Sequence, residues 1–105
     1  MTANDAASIC KALGDLNRLQ IVRLLTEGEQ CTCHLLGHFQ IAQPTLTHHM
    51  RVLAECGLLH SRKEGRWTFY SLDCATLTAF RELIAELDCS KNGGRDERDC
   101  CDRDM

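Results

Sequence analysis

Two apolar-striped segments joined by a tight connection through Gln40-Ile41-Ala42 constrain this chain more than any other feature. The first is a short helix predicted from Thr32 or Cys33 to Phe39, with Leu35, Leu36 and Phe39 apolar. The second opens at Pro44, which suits a helix's first turn because the missing N–H has no intrahelical partner there, and it closes at Cys56 before Gly57. On the wheel of this longer helix Leu46, His49, Met50 and Leu53 share one side, whereas Pro44, Thr47, His48 and Arg51 point the other way. One face suits a core; the other is polar and cationic.

The flanking segments supply what such a pair needs to pack. Ala6, Ile9, Cys10 and Leu13 recur at helical spacing, with Asn4 or Asp5 as the expected cap and Gly14 as the stop. Asp15 caps a second helix whose broad apolar face comprises Leu16, Leu19, Ile21, Val22, Leu24 and Leu25, ending near Gly28. Downstream, Leu58 to Lys63 and Arg66 to Leu72 are rich in strand formers and flank a Glu64-Gly65 turn, giving a hairpin with a basic tip. Asp73 then caps a last helix carrying Leu77, Phe80, Leu83, Ile84 and Leu87. The expected architecture over residues 1–89 is mainly α with a β-hairpin, in the order α-α-α-α-β-β-α, a winged helix-turn-helix. Residues 90–105 lose all apolar periodicity and are expected to be a disordered, cysteine-containing tail.

Length and composition narrow the function. A chain of 105 residues is one ordinary domain, and no apolar run approaches the roughly 20 residues of a membrane span. The start, MTANDAASIC, lacks the basic and apolar blocks of a secretory signal, so a cytoplasmic protein is expected, with no membrane partner. Eight cysteines in a reducing compartment indicate metal binding, redox chemistry or burial as small hydrophobes, not a disulfide framework. The net charge of -3 opposes nucleic-acid binding in sum, yet from Pro44 to Leu72 four basic residues face two acidic ones, so that surface is locally basic. No phosphate loop, paired carboxylate site or Cys-x-x-Cys in a strand–helix unit is present, and neither an enzyme nor a catalytic cofactor is expected.

Gln43, Thr45, Thr47, His48 and Arg51 offer the donors and acceptors that reading base edges in the major groove requires. Arg62, Lys63 and Arg66 flank the hairpin turn, where a wing meets phosphate. Trp67, Phe69 and Tyr70 are read as strand-face packing and His49 as a core residue. Since one such module makes too few contacts for specificity, a homodimer on two-fold double-stranded operator DNA is expected, pairing through the first and last helices. Cys31 and Cys33 are the sharpest candidate metal ligands: thiolates select soft ions. Residues two apart do not share a helix face, so joint ligation requires a helix start or an unwound turn. Cys10, Cys56 and Cys74, beside apolar helical positions, are read most simply as buried hydrophobes.

Three stretches, GEQCTCHLL (Gly28 to Leu36), QPTLTHHMRVL (Gln43 to Leu53) and GLLHSRKEGRWTFYSL (Gly57 to Leu72), together resemble the ArsR/SmtB repressors of bacterial metal and metalloid resistance, most closely the arsenic-responsive ones. The resemblance covers roughly Ile9 to Leu87. It implies a repressor that leaves its operator when As(III) or Sb(III), the inducer, is held by Cys31 and Cys33. Gln30 and His34 stand where those relatives usually have Leu and Asp, and Leu36 stands where some carry a third cysteine. The third ligand is therefore open among Cys10, Cys100, Cys101, a solvent molecule or a small thiol. The zinc-type second site is not expected, because Asp73 is followed by Cys74 and Ala75 and no histidine follows His60. Two alternatives stand beside this reading: a Cd(II), Pb(II) or Zn(II) sensor of the same fold using these thiols and an N-terminal cysteine, with His34 as a further donor in the case of zinc or cadmium, and a thiol redox switch through Cys31 and Cys33 or Cys100 and Cys101.

Overall fold

The computed structural model describes residues 1–90. Five helices and three strands follow in the order α1 (Ala3–Leu13), α2 (Leu16–Leu25), β1 (Gln30–Cys31), α3 (Thr32–Leu36), α4 (Gln43–Glu55), β2 (Leu59–Glu64), β3 (Trp67–Leu72) and α5 (Cys74–Ala85). The winged helix-turn-helix expected from the sequence is present, with one addition. The two-residue strand β1 pairs antiparallel with β3, making a three-stranded sheet in the order β1-β3-β2. No helix among the described residues is long and apolar enough to cross a membrane. The tail and its Cys100-Cys101 pair lie outside the described residues.

Local chemistry fixes the element ends. The cap of α1 is Thr2, not Asn4 or Asp5: the Thr2 hydroxyl accepts the Asp5 N–H at 3.1 Å while the Asp5 carboxylate accepts the Thr2 N–H at 3.0 Å. This reciprocal box needs the acid three residues after the cap, a spacing that Thr2 and Asp5 provide. Asp15 caps α2 as expected, accepting the Arg18 N–H at 3.1 Å. Helix α3 ends at Leu36 and not at Phe39, because beyond it the bonds shorten to three-residue turns, His38 N–H to Leu35 and Phe39 N–H to Leu36. The hairpin turns on Gly65-Arg66: Glu64 still pairs with Trp67, and Gly65 takes the positive φ of 63° that the first central position of a tight hairpin requires.

The Asp15 carboxyl lies below the ordinary range, chiefly because the Arg18 amide donates to it. A lowered folded-state value means that this stabilisation is complete above the ordinary value of 3.8 and is lost as pH falls through the folded value. Asp15→Ala should therefore cost about 1 kcal/mol at neutral pH. The gap in melting temperature between the two proteins should close in acid.

The core collects Ile9 and Ala12 from α1, Ile21, Val22 and Leu25 from α2, Leu35 from α3, Leu46, Met50 and Leu53 from α4, and Leu58 and Leu59 at the start of β2. Leu35, Leu46, Leu53 and Leu58 are fully enclosed, each worth about 1.5 to 3 kcal/mol of apolar burial. This cluster welds α3 to α4. Three expectations are corrected. Leu16 and Leu19 are 72% and 42% exposed, because Leu16 lies on the side of α2 opposite Ile21, Val22 and Leu25 and Leu19 only at the edge of their face, one turn before Val22. Cys10 and Cys74 are exposed rather than buried, and Cys56 is only partly covered. Apolar neighbours three residues away mark a helical pattern without saying which cysteine faces the core.

Candidate DNA-reading helix and thiol site

Helix α4 presents the two faces expected of it. Leu46, His49, Met50 and Leu53 are buried, while Gln43, Pro44, Thr45, Thr47, His48 and Arg51 are all exposed. Its N-cap, Ala42, makes no side-chain bond to the first turn, so the free amides of that end join the polar side chains on the open surface.

Beside the apolar packing of Leu46, Met50 and Leu53, this helix is tied to the body by Arg18 of α2. The Arg18 Nε donates to the Ala12 carbonyl at 2.6 Å, and Nη1 lies 3.1 Å from Nδ1 of the buried His49. Because a guanidinium only donates, Nδ1 is the acceptor in this contact. One side chain thus ties the end of α1 and the start of α2 to the inner face of α4. The partners are 31 positions apart, and no local pattern announces the contact.

At the hairpin, Lys63 and Arg66 are exposed and Arg66 sits 5.7 Å from the Trp67 ring centroid. Arg62 is engaged. Its Nε and Nη2 each donate to the Glu29 carboxylate at 2.8 Å, Nη1 donates to Glu64 at 2.7 Å, and the guanidinium lies 4.5 Å over the Phe69 ring. The Glu29 carboxyl is held below its ordinary range by this bond, and Arg62 is shifted upward by the two carboxylates.

Cys31 and Cys33 straddle a change of backbone. Cys31 ends β1 in extended conformation (φ -82°, ψ 161°) and is the N-cap of α3, whereas Cys33 lies in that helix's first turn. This is the helix start that joint ligation requires. Cys31 is half-buried and Cys33 exposed, both as free thiols, and Cys31 makes no cap bond. A cleft of about 360 Å³ opens beside Cys31, lined by Glu27, Gly28, Glu29, Gln30, Cys31 and His34. The Gln30 amide donates to the Leu24 carbonyl at 3.0 Å, and its Oε1 is enclosed without a partner. Thiolate sulfur is the donor type that soft ions select. Among the described residues no group of three or more His, Cys, Asp or Glu side chains is gathered to hold a metal, so the structure does not bring Cys10 to this pair.

The pattern described as "Bacterial regulatory protein, arsR family" matches residues 15–61. The chain is 46% identical to an arsenical resistance operon repressor of Staphylococcus aureus over 73% of its own length and 74% of that protein's. A repressor of the same description from Staphylococcus xylosus is 39% identical over 89% of each chain. The solved structure of a possible transcriptional regulator for arsenical resistance superposes with a TM-score of 0.69 at 34% identity, covering 90% of this chain and 93% of that one. These relatives are transcriptional regulators, not enzymes. With an exposed polar helix held on a welded core and a hairpin beside it, the chain belongs to the ArsR family of bacterial regulatory proteins, and its architecture is that of a DNA-binding transcriptional repressor.

Proposed function

We propose that this chain is a homodimeric repressor that occupies a near-palindromic operator and leaves it when As(III) or Sb(III) is held by Cys31 and Cys33. The observation that carries the reading is the position of the two thiols at the strand-to-helix junction that opens α3, the first helix of the DNA-binding pair. Bringing both sulfurs to one centre changes the backbone at Thr32 and Cys33. Leu35, one turn on and fully enclosed in the same core as Leu46, passes that change to α4. Release then needs a coupling free energy of about 1 to 3 kcal/mol between the two sites.

Gln43, Thr45, Thr47, His48 and Arg51 are the proposed reading surface, with Arg62, Lys63 and Arg66 on phosphate. Two copies of α4 are set in successive major grooves, a separation of about 34 Å. Arg51→Ala should weaken operator binding by about 1 to 3 kcal/mol, or roughly 5- to 150-fold, and leave arsenite binding by the free protein unchanged. Unchanged operator affinity in a gel-shift titration would remove Arg51 from the surface.

A second reading within the fold, a cadmium, lead or zinc sensor, draws support from His34, which lines the same cleft as Cys31. Adding arsenite or cadmium, in separate titrations, to a protein complex with a fluorescent duplex selected from a random-sequence pool distinguishes the two. Release at lower arsenite than cadmium is expected; release by cadmium alone would favour the second reading.

A further inference from the structure

The sheet places the thiol site and the wing in one row. Phe69 on β3 pairs with Cys31 on one side and with Arg62 on the other, so that sensor thiol, aromatic ring and wing cation stand in register. Glu29, two residues before Cys31, has the same parity along the chain as Cys31 and accepts two bonds of 2.8 Å from the Arg62 guanidinium, which lies over that ring. With Glu64 on Nη1, the guanidinium is committed to two carboxylates. Arg62 thus offers little positive charge outward, although it lies beside Lys63 on the wing.

A carboxylate and a phosphate present the same pair of acceptor oxygens to the guanidinium fork, so Glu29 and a DNA phosphate cannot both hold Nε and Nη2. The pair lies at the surface, with side chains 51% and 35% exposed. Such pairs add little stability and are suited to exchange. We propose that Glu29 is an internal competitor for Arg62, through which the sensing strand sets the wing's hold on DNA: thiol ligation favours the Glu29 pairing, and operator binding favours the phosphate. The inference rests on the function proposed above for Cys31 and Cys33.

Glu29→Gln keeps the shape of the side chain and removes the charged fork. Because Arg62 sits on phosphate in the operator complex of either protein, the salt slope should stay near the parent's, while the variant, freed of the competing carboxylate, should bind the selected duplex several-fold more tightly at one fixed salt concentration. The arsenite concentration needed for release should rise several-fold. An unchanged operator affinity, or an unchanged arsenite response, overturns the proposal. Placing Glu29→Gln in an Arg62→Gln background should then add nothing to either readout; an equal effect without Arg62 also overturns it. If arsenite fails to release even the unaltered protein, the thiol reading has failed, and the operator-affinity measurement still decides the competition on its own.

Discussion

Replacing Cys31 or Cys33 by serine is expected to yield a repressor that still binds its operator and that arsenite no longer removes. Neither thiol is enclosed in the core, and Cys31 makes no cap bond at the start of α3. Serine is a favoured N-cap, and its hydroxyl can accept an amide of the first turn. Cys31→Ser should therefore fold at least as well as the parent and present α4 unchanged. What it loses is a soft sulfur donor, which a hydroxyl does not replace for As(III) or Sb(III). The ratio of operator affinities without and with arsenite, about 5 to 150 for a coupling of 1 to 3 kcal/mol, should fall to near 1 in either variant, read by fluorescence anisotropy. Normal release from both would place the sensing ligands elsewhere.

An equally large effect is expected from Ile84→Asp. Helix α5 carries an apolar stripe, yet the single chain buries none of its residues fully. Leu77 and Phe80 pack against the core; Leu83 and Ile84 are half-covered, and Leu87 is 78% exposed. In the proposed dimer α5, with α1, meets its counterpart across a two-fold axis, so each substitution is felt twice. Losing one such side chain forfeits about 1.5 to 3 kcal/mol of burial, and an aspartate there adds an unpaired charge to a closing interface. The variant should keep its helical circular dichroism, sediment as a monomer and lose specific operator binding. A variant that remains dimeric and binds normally would move the interface away from α5.

Strong local signals made the reading half of the molecule legible. Pro44 and Gly57 bracket α4, and the 3.6-residue period divides Leu46, His49, Met50 and Leu53 from the exposed Thr47, His48 and Arg51. Asp15 and Asp73 behave as caps because capping is decided within three residues. Strand β1 was not legible: two residues carry no alternation, and they become a strand only through the distant register of Gln30 with Tyr70 and Cys31 with Phe69. The same distance hid Arg18 on His49 and Glu29 on Arg62, contacts spanning 31 and 33 positions. Leu16 and Leu19 misled for another reason. Six apolar residues on α2 exceed what one face can bury, and hydrophobicity alone does not say which of them are left outside.

Ligation of arsenic by these two sulfurs is tested most directly by X-ray absorption at the arsenic edge of the arsenite-loaded protein. The unaltered chain should show sulfur in place of the oxygens of free arsenite, and the Cys31→Ser, Cys33→Ser double variant should lose those sulfurs. An all-oxygen shell in the unaltered protein, or an undiminished sulfur shell in the double variant, would contradict it.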